Sequence, residues 1–153
     1  MTLHTYSAEL WLPQPPERIF PFFADARNLE AITPPWLKFE VLTPGPIEMK
    51  VGTLIDYRLK VHGFPLRWRT EITAWEPLHR FVDEQLRGPY RRWVHTHTFE
   101  SRDGGTLCHD GLVYAVPGGR LVNWLLVRRD VESIFRYRQQ AMTRIFPTAG
   151  STP

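Results

Sequence analysis

The chain has 153 residues, 42% of them hydrophobic, which suits one domain with a real core, and it holds a single cysteine, Cys108. One cysteine excludes an internal disulfide and a multi-cysteine metal cluster, so redox chemistry is not expected. The net charge of +3 rests on 19 basic residues, of which only Lys38, Lys50 and Lys60 are lysines. The arginines are scattered rather than gathered in a tail.

From His4 to Leu12, Tyr6, Ala8, Leu10 and Leu12 alternate with Ser7, Glu9 and Trp11, which predicts a half-buried strand. This opening has neither the basic start nor the apolar centre of a signal peptide, so a cytoplasmic location is expected. Pro15 and Pro16 end the strand and can start a short helix carrying Ile19, Phe20 and Phe23. Asp25 can cap a second short helix through Leu29 and Ile32, stopped by Pro34 and Pro35. Six further strands are predicted: Leu37 to Leu42, Thr53 to Val61, Pro65 to Trp75, Arg80 to Leu86, Arg92 to Ser101 and Thr106 to Val116. The short turns at His62-Gly63 and at Arg102 to Gly105 suit hairpins, hence an antiparallel meander.

Pro117-Gly118-Gly119 ends the last strand, and Leu121 to Phe146 then reads as one long amphipathic helix. Its apolar stripe is Leu121, Trp124, Val127, Val131, Ile134, Phe135, Met142 and Ile145. The apolar run from Leu121 to Val127 is broken by Asn123 and is far short of the roughly 20 residues a membrane span needs. The expected organisation is one domain over residues 1–147 and a flexible tail over 148–153.

This order of elements, with the phrases ITPPWLKFEVL, FVDEQLRGPYRRWVHTHTFE and IFRYRQQ, resembles the START-like superfamily of polyketide cyclases and dehydratases, lipid-transfer domains and plant pollen-allergen proteins. Within it the chain looks like a bacterial ligand-binding branch. The resemblance implies an α+β helix-grip fold: a curved seven-stranded antiparallel sheet wrapped around a long C-terminal helix, with two short helices after strand 1. It also implies a cavity between sheet and helix, but no catalytic residues, because these differ between branches.

Alternation then selects the cavity wall, since residues two apart on a strand share a face. Ile55, Tyr57, Leu59 and Val61 face inward, as do Leu66, Trp68, Thr70 and Ile72. Trp93, His95, His97 and Phe99 share a face on the next long strand. If Ser101 and Thr106 close a four-residue loop, His97 lies opposite Asp110 and Trp93 opposite Tyr114; a slip of one residue would turn Asp110 away. A carboxylate beside an imidazole can orient the ring and hold its proton, which a general base requires, so His97 and Asp110 are the candidate catalytic pair.

Tyr57, Trp68, Thr70, Asp83, Gln85, Trp93, His95, Tyr114, Phe135 and Arg138 are the candidate ligand-binding residues, Asp83 and Gln85 with an uncertain register. Arg138 falls inside the apolar stripe, where a charge is costly unless paired, and is read either as an anchor for an acidic ligand or Asp110 or as a snorkelling side chain. His95 and His97, about 7 Å apart at their bases, could converge on a metal with Asp110, yet hydrogen-bonded cavity residues explain them better. No metal or cofactor is therefore expected.

Two functions follow. One is binding or carriage of a hydrophobic or aromatic small molecule; the other is a cyclase or dehydratase in which His97, aligned by Asp110, removes a proton beside a carbonyl. Nucleic acid is not an expected partner, because no stacking motif of exposed aromatics is present. Whether the protein is a monomer or a homodimer is left open.

Overall fold

The structure is a computed structural model and describes residues 1–147. The tail expected at 148–153 lies outside the described residues. Seven strands form one antiparallel sheet: β1 (His4–Leu12), β2 (Glu40–Val41), β3 (Leu54–Val61), β4 (Phe64–Glu76), β5 (Arg80–Arg87), β6 (Arg92–Arg102) and β7 (Gly105–Ala115). Their order is β1-β7-β6-β5-β4-β3-β2, so β2 to β7 are a meander and β1 closes against β7. With a long C-terminal helix on the sheet, this is the α+β helix-grip architecture expected.

Two turns fix the register. His62 and Gly63 take φ of 49° and 82° between paired Val61 and Phe64, and Asp103 and Gly104 take 52° and 75° between paired Arg102 and Gly105. Positive φ at both central residues is the turn whose twist matches flanking strands. The second turn is two residues shorter than the loop assumed from sequence, but Ser101 still pairs with Thr106. His97 therefore opposes Asp110, and Trp93 opposes Tyr114.

After β1 comes the helix Pro16–Phe23, with proline in its first turn. The second helix is a 3-10 helix, Ala26–Ile32, and Asp25 caps it by accepting from the Arg27 amide at 3.0 Å. The strand expected at Leu37 to Leu42 shrinks to Glu40–Val41. Its first part is taken by a 3-10 turn, Pro35–Leu37, which ends on Lys38 with φ of 50°, outside strand geometry.

The C-terminal helix is three pieces in succession: Gly119–Val122, a π-helical segment Asn123–Val127, and Arg128–Ile145. The wider π turn holds more residues than an α turn and shifts the phase of what precedes it. Leu121 and Trp124, expected in the buried stripe, are consequently exposed, while Asn123 is buried. Ile145 is exposed as well. Val131, Phe135, Arg138 and Met142 keep the inward stripe. Leu12, Ile19, Phe20, Phe23, Phe99 and Met142 make one end of the core; Leu112, Val116, Val131 and Phe135 make the other.

Candidate functional site

Between sheet and C-terminal helix lie two adjoining chambers. The outer one, about 620 Å³, is walled by Leu59, Val61, Leu66, Trp93, Val127 and Tyr90, among others. The inner one, about 160 Å³, ends on Asp83, His95, His97 and Arg138. Leu37, Leu59, Trp68 and Ile134 line both and mark where they meet. Apolar walls with a few convergent polar groups are the usual composition of a small-molecule site.

The polar end is built on four elements. Asp83 comes from β5, His95 and His97 from β6, Asp110 from β7 and Arg138 from the helix. His95 Nε2 lies 2.8 Å from Asp110 Oδ1, and His97 Nε2 lies 2.6 Å from Asp83 Oδ2. Arg138 Nη2 lies 3.2 Å from His97 Nδ1, and its Nε is 3.5 Å from Asp110 Oδ2. The hydrogen bonds thus cross the register: Asp110, opposite His97 in the ladder, bonds His95, and His97 bonds Asp83. His97 Nδ1 keeps a longer approach of 3.5 Å to Asp110 Oδ1.

These contacts fix the tautomers. A guanidinium only donates, so His97 Nδ1 accepts from Arg138 and the ring proton sits on Nε2, donating to Asp83. His95 donates Nε2–H to the Asp110 carboxylate, which leaves a lone pair on Nδ1. The two imidazole rings lie tilted at 31° with centroids 3.6 Å apart, and Phe81 stacks on His97 at 4.0 Å. Burial and the neighbouring His95 push His97 down to about 4 despite the Asp83 contact, so its ring is neutral at neutral pH. Burial alone would raise the acids, but Arg138 and the His95 hydrogen bond hold Asp110 well below the usual carboxylate range. His97 does the same for Asp83.

Other expected residues divide. Tyr57 is buried against Phe39, its phenol pushed up by burial, and it lines the inner chamber with Thr70, which accepts a hydrogen bond from Trp68 Nε1 at 3.2 Å. Trp93 lies in the outer chamber, edge-on to Trp68. Three others lie off both chambers. Gln85 Nε2 donates to the Tyr90 carbonyl and Gln85 Oε1 accepts from its amide, so the side chain closes the β5–β6 turn. The Tyr114 hydroxyl donates to Asn123 Oδ1 at 2.8 Å, tying β7 to the π segment. Phe135 packs edge-on behind His95. Sequence reasoning missed Trp36, Tyr90 and Ile134 in the wall, of which Ile134 was signalled only as a member of the helical stripe.

Asp83, His95 and His97 offer metal-ligand atoms within 4.8 Å of one another. His97 would reach such an ion through Nε2, yet the Arg138 donation at Nδ1 keeps the ring proton on Nε2. The donor set therefore fits a proton network better than an ion. Cys108, buried and pushed up to about 12 by burial, has no thiolate character.

A family model described as polyketide cyclase / dehydrase and lipid transport matches residues 12–142. The chain belongs to this family. Members of this START-like group share a hydrophobic ligand-binding fold, and solved structures of the same fold accompany the match. Ara h 8.0201 is 17% identical with a TM-score of 0.71, covering 95% of this chain and 98% of that one. The Zhui aromatase/cyclase from Streptomyces sp. R1128 is 16% identical with a TM-score of 0.66, covering 99% and 100%. TTHA0849 from Thermus thermophilus is 23% identical with a TM-score of 0.62, covering 92% of each. At these identities the likeness is one of fold. No curated protein sequence matches the chain. Among the described residues no helix is long and apolar enough to cross a membrane.

Proposed function

We propose that the protein binds or carries a hydrophobic molecule with an aromatic or polyketide-like body, held in the two chambers and oriented by the polar cluster at the inner end. The observation that carries this reading is the union of an apolar outer chamber of about 620 Å³ with an inner chamber ending on Asp83, His95, His97 and Arg138. Apolar area removed from water supplies affinity, and a few convergent polar groups supply orientation. Native mass spectrometry of the protein purified from its own source, compared with the denatured mass, tests it. A retained organic molecule of a few hundred daltons is expected; protein that neither retains one nor takes up any aromatic probe would overturn the reading.

A second reading, a cyclase or dehydratase, is favoured by the tautomers. His97 and Asp110 were the pair expected from sequence, but the base position fits His95 Nδ1, whose lone pair is held ready by the Nε2–H to Asp110 contact. His95 would take a proton from carbon beside a carbonyl, while the Tyr57 hydroxyl or Arg138 stabilises the resulting oxyanion. The aromatase/cyclase among the similar folds lends this support by analogy alone. His95→Ala and His97→Ala separate the readings. A carrier loses modest affinity, whereas an enzyme loses turnover by about a hundredfold or more in the variant that removes the base.

A further inference from the structure

One side chain in the inner chamber has hydrogen-bonding capacity that the protein itself leaves unused. The guanidinium of Arg138 is a fixed planar fork of N–H donors. Only one of them has an acceptor among the described residues: Nη2 donates to His97 Nδ1 at 3.2 Å. Nε is sealed from solvent and makes no hydrogen bond; Asp110 Oδ2 stands 3.5 Å from it, close enough to balance its charge but not in hydrogen-bond geometry. Nη1 bonds no described residue either, and it is not sealed, since Nε alone of these nitrogens is both unbonded and without exposed surface.

The surface left to Nη1 belongs to the inner chamber. Arg138 is only 7% exposed, and it lines that chamber beside Asp83, His95 and His97. Its plane is held by the His97 contact and by the Phe23 ring, whose centroid lies 5.3 Å from Cζ. The donor is therefore in place before any ligand arrives. Asp110 already meets the charge of Arg138, so what stays unmet is the hydrogen bond. A buried donor without a partner is costly, and a ligand oxygen seated against it offsets that cost.

We infer that the ligand, whose presence rests on the binding reading above, carries a carbonyl oxygen at its inner end, from a ketone or a carboxylate, and that Arg138 Nη1 donates to it. Arg138 then works in two directions. Nε and Nη2 stand against Asp110 and His97 inside the protein, while Nη1 serves the ligand. The apolar walls of Ile55, Leu59, Ile72 and Ile134 take the body behind that oxygen.

Isothermal titration calorimetry at neutral pH with three probes of one body tests the inference: ethylnaphthalene, acetylnaphthalene and naphthoate. Acetylnaphthalene is expected to bind about tenfold or more tightly than ethylnaphthalene, the size of one hydrogen bond to a charged donor. Naphthoate should also exceed ethylnaphthalene, and its order against acetylnaphthalene tells a ketone from a carboxylate. Arg138→Met is expected to remove most of the preference for oxygen, and a variant that keeps it in full would overturn the inference. So would ethylnaphthalene binding as tightly as acetylnaphthalene, with the binding reading left intact; three probes that all fail to bind would overturn both. If the variant fails to fold, infrared difference spectra of acetylnaphthalene on the wild type decide: the carbonyl stretch should fall below its value in hydrocarbon solvent, and an unshifted stretch would refute the Arg138 contact.

Discussion

His62 Nε2 lies 3.0 Å from Asp130 Oδ2, joining the β3–β4 turn to the C-terminal helix where both residues line the outer chamber. His62 is 70% exposed, so the pair is screened by water and contributes little to stability. Asp130→Asn is expected to leave the denaturation midpoint within the shift that about 0.5 kcal/mol produces. It should also speed release of a bound aromatic probe, followed by stopped-flow displacement. An unchanged release rate would show that the contact does not gate the chamber.

The buried pair behaves differently. Asp110 and Arg138 are both almost wholly buried, and removing one charge strands the other. Arg138→Met is expected to cost about 3 to 5 kcal/mol in urea unfolding, and Asp110→Asn a similar amount. The double variant should cost clearly less than the two singles added together, because it strands neither charge. Strict additivity would mean that the two groups are not coupled.

Acid should weaken the fold through His97. Its folded value of about 4 lies below its ordinary 6.5, so between these values the unfolded chain binds the proton that the folded chain refuses. Stability is then present above pH 6.5 and is lost as pH falls toward 4, by about 3 kcal/mol from this group. Asp83 and Asp110, both held low, extend the loss to more acid pH. Urea midpoints measured from about pH 7.5 down to about pH 4 are expected to fall in this window. A flat profile there would contradict a buried neutral His97.

Ile134 stands at the junction of the two chambers and is only partly buried. Ile134→Trp is expected to fill this junction, weakening aromatic-probe binding about tenfold or more while changing stability by less than about 2 kcal/mol. Fluorescence titration and a thermal melt on the same sample separate the two effects.

Tyr114→Phe tests the division of the expected site residues. The hydroxyl bonds Asn123 and reaches neither chamber, so its loss should cost about 1 to 3 kcal/mol of stability and leave probe affinity unchanged. A drop in affinity without a drop in stability would return Tyr114 to the binding site.

Much of the fold was legible because strand alternation and turn chemistry are local. Tyr57, Trp68, Thr70, Trp93, His95 and His97 were readable as inward from period two alone, and the Asp103-Gly104 turn carried the β6–β7 register to Asp110. What misled was phase. The stripe through Leu121 and Trp124 assumed an unbroken α-helix, and the π turn at Asn123–Val127 rotated both out to solvent. Asp83 stayed uncertain because β4 and β5 pair with register shifts near Thr70 and Ile72, and no residue count across the Arg87 to Tyr90 turn reveals where Asp83 meets His95.

The sequence by itself determined the strands, the hairpin turns, the amphipathic helix and the family resemblance, since each depends on neighbours close along the chain. Tertiary structure alone decided which imidazole each carboxylate holds and where each ring proton sits. Those depend on side chains from β5, β6, β7 and the C-terminal helix meeting within about 4 Å, and at that scale a hydrogen bond follows the reach of the side chain rather than the pairing of the backbone.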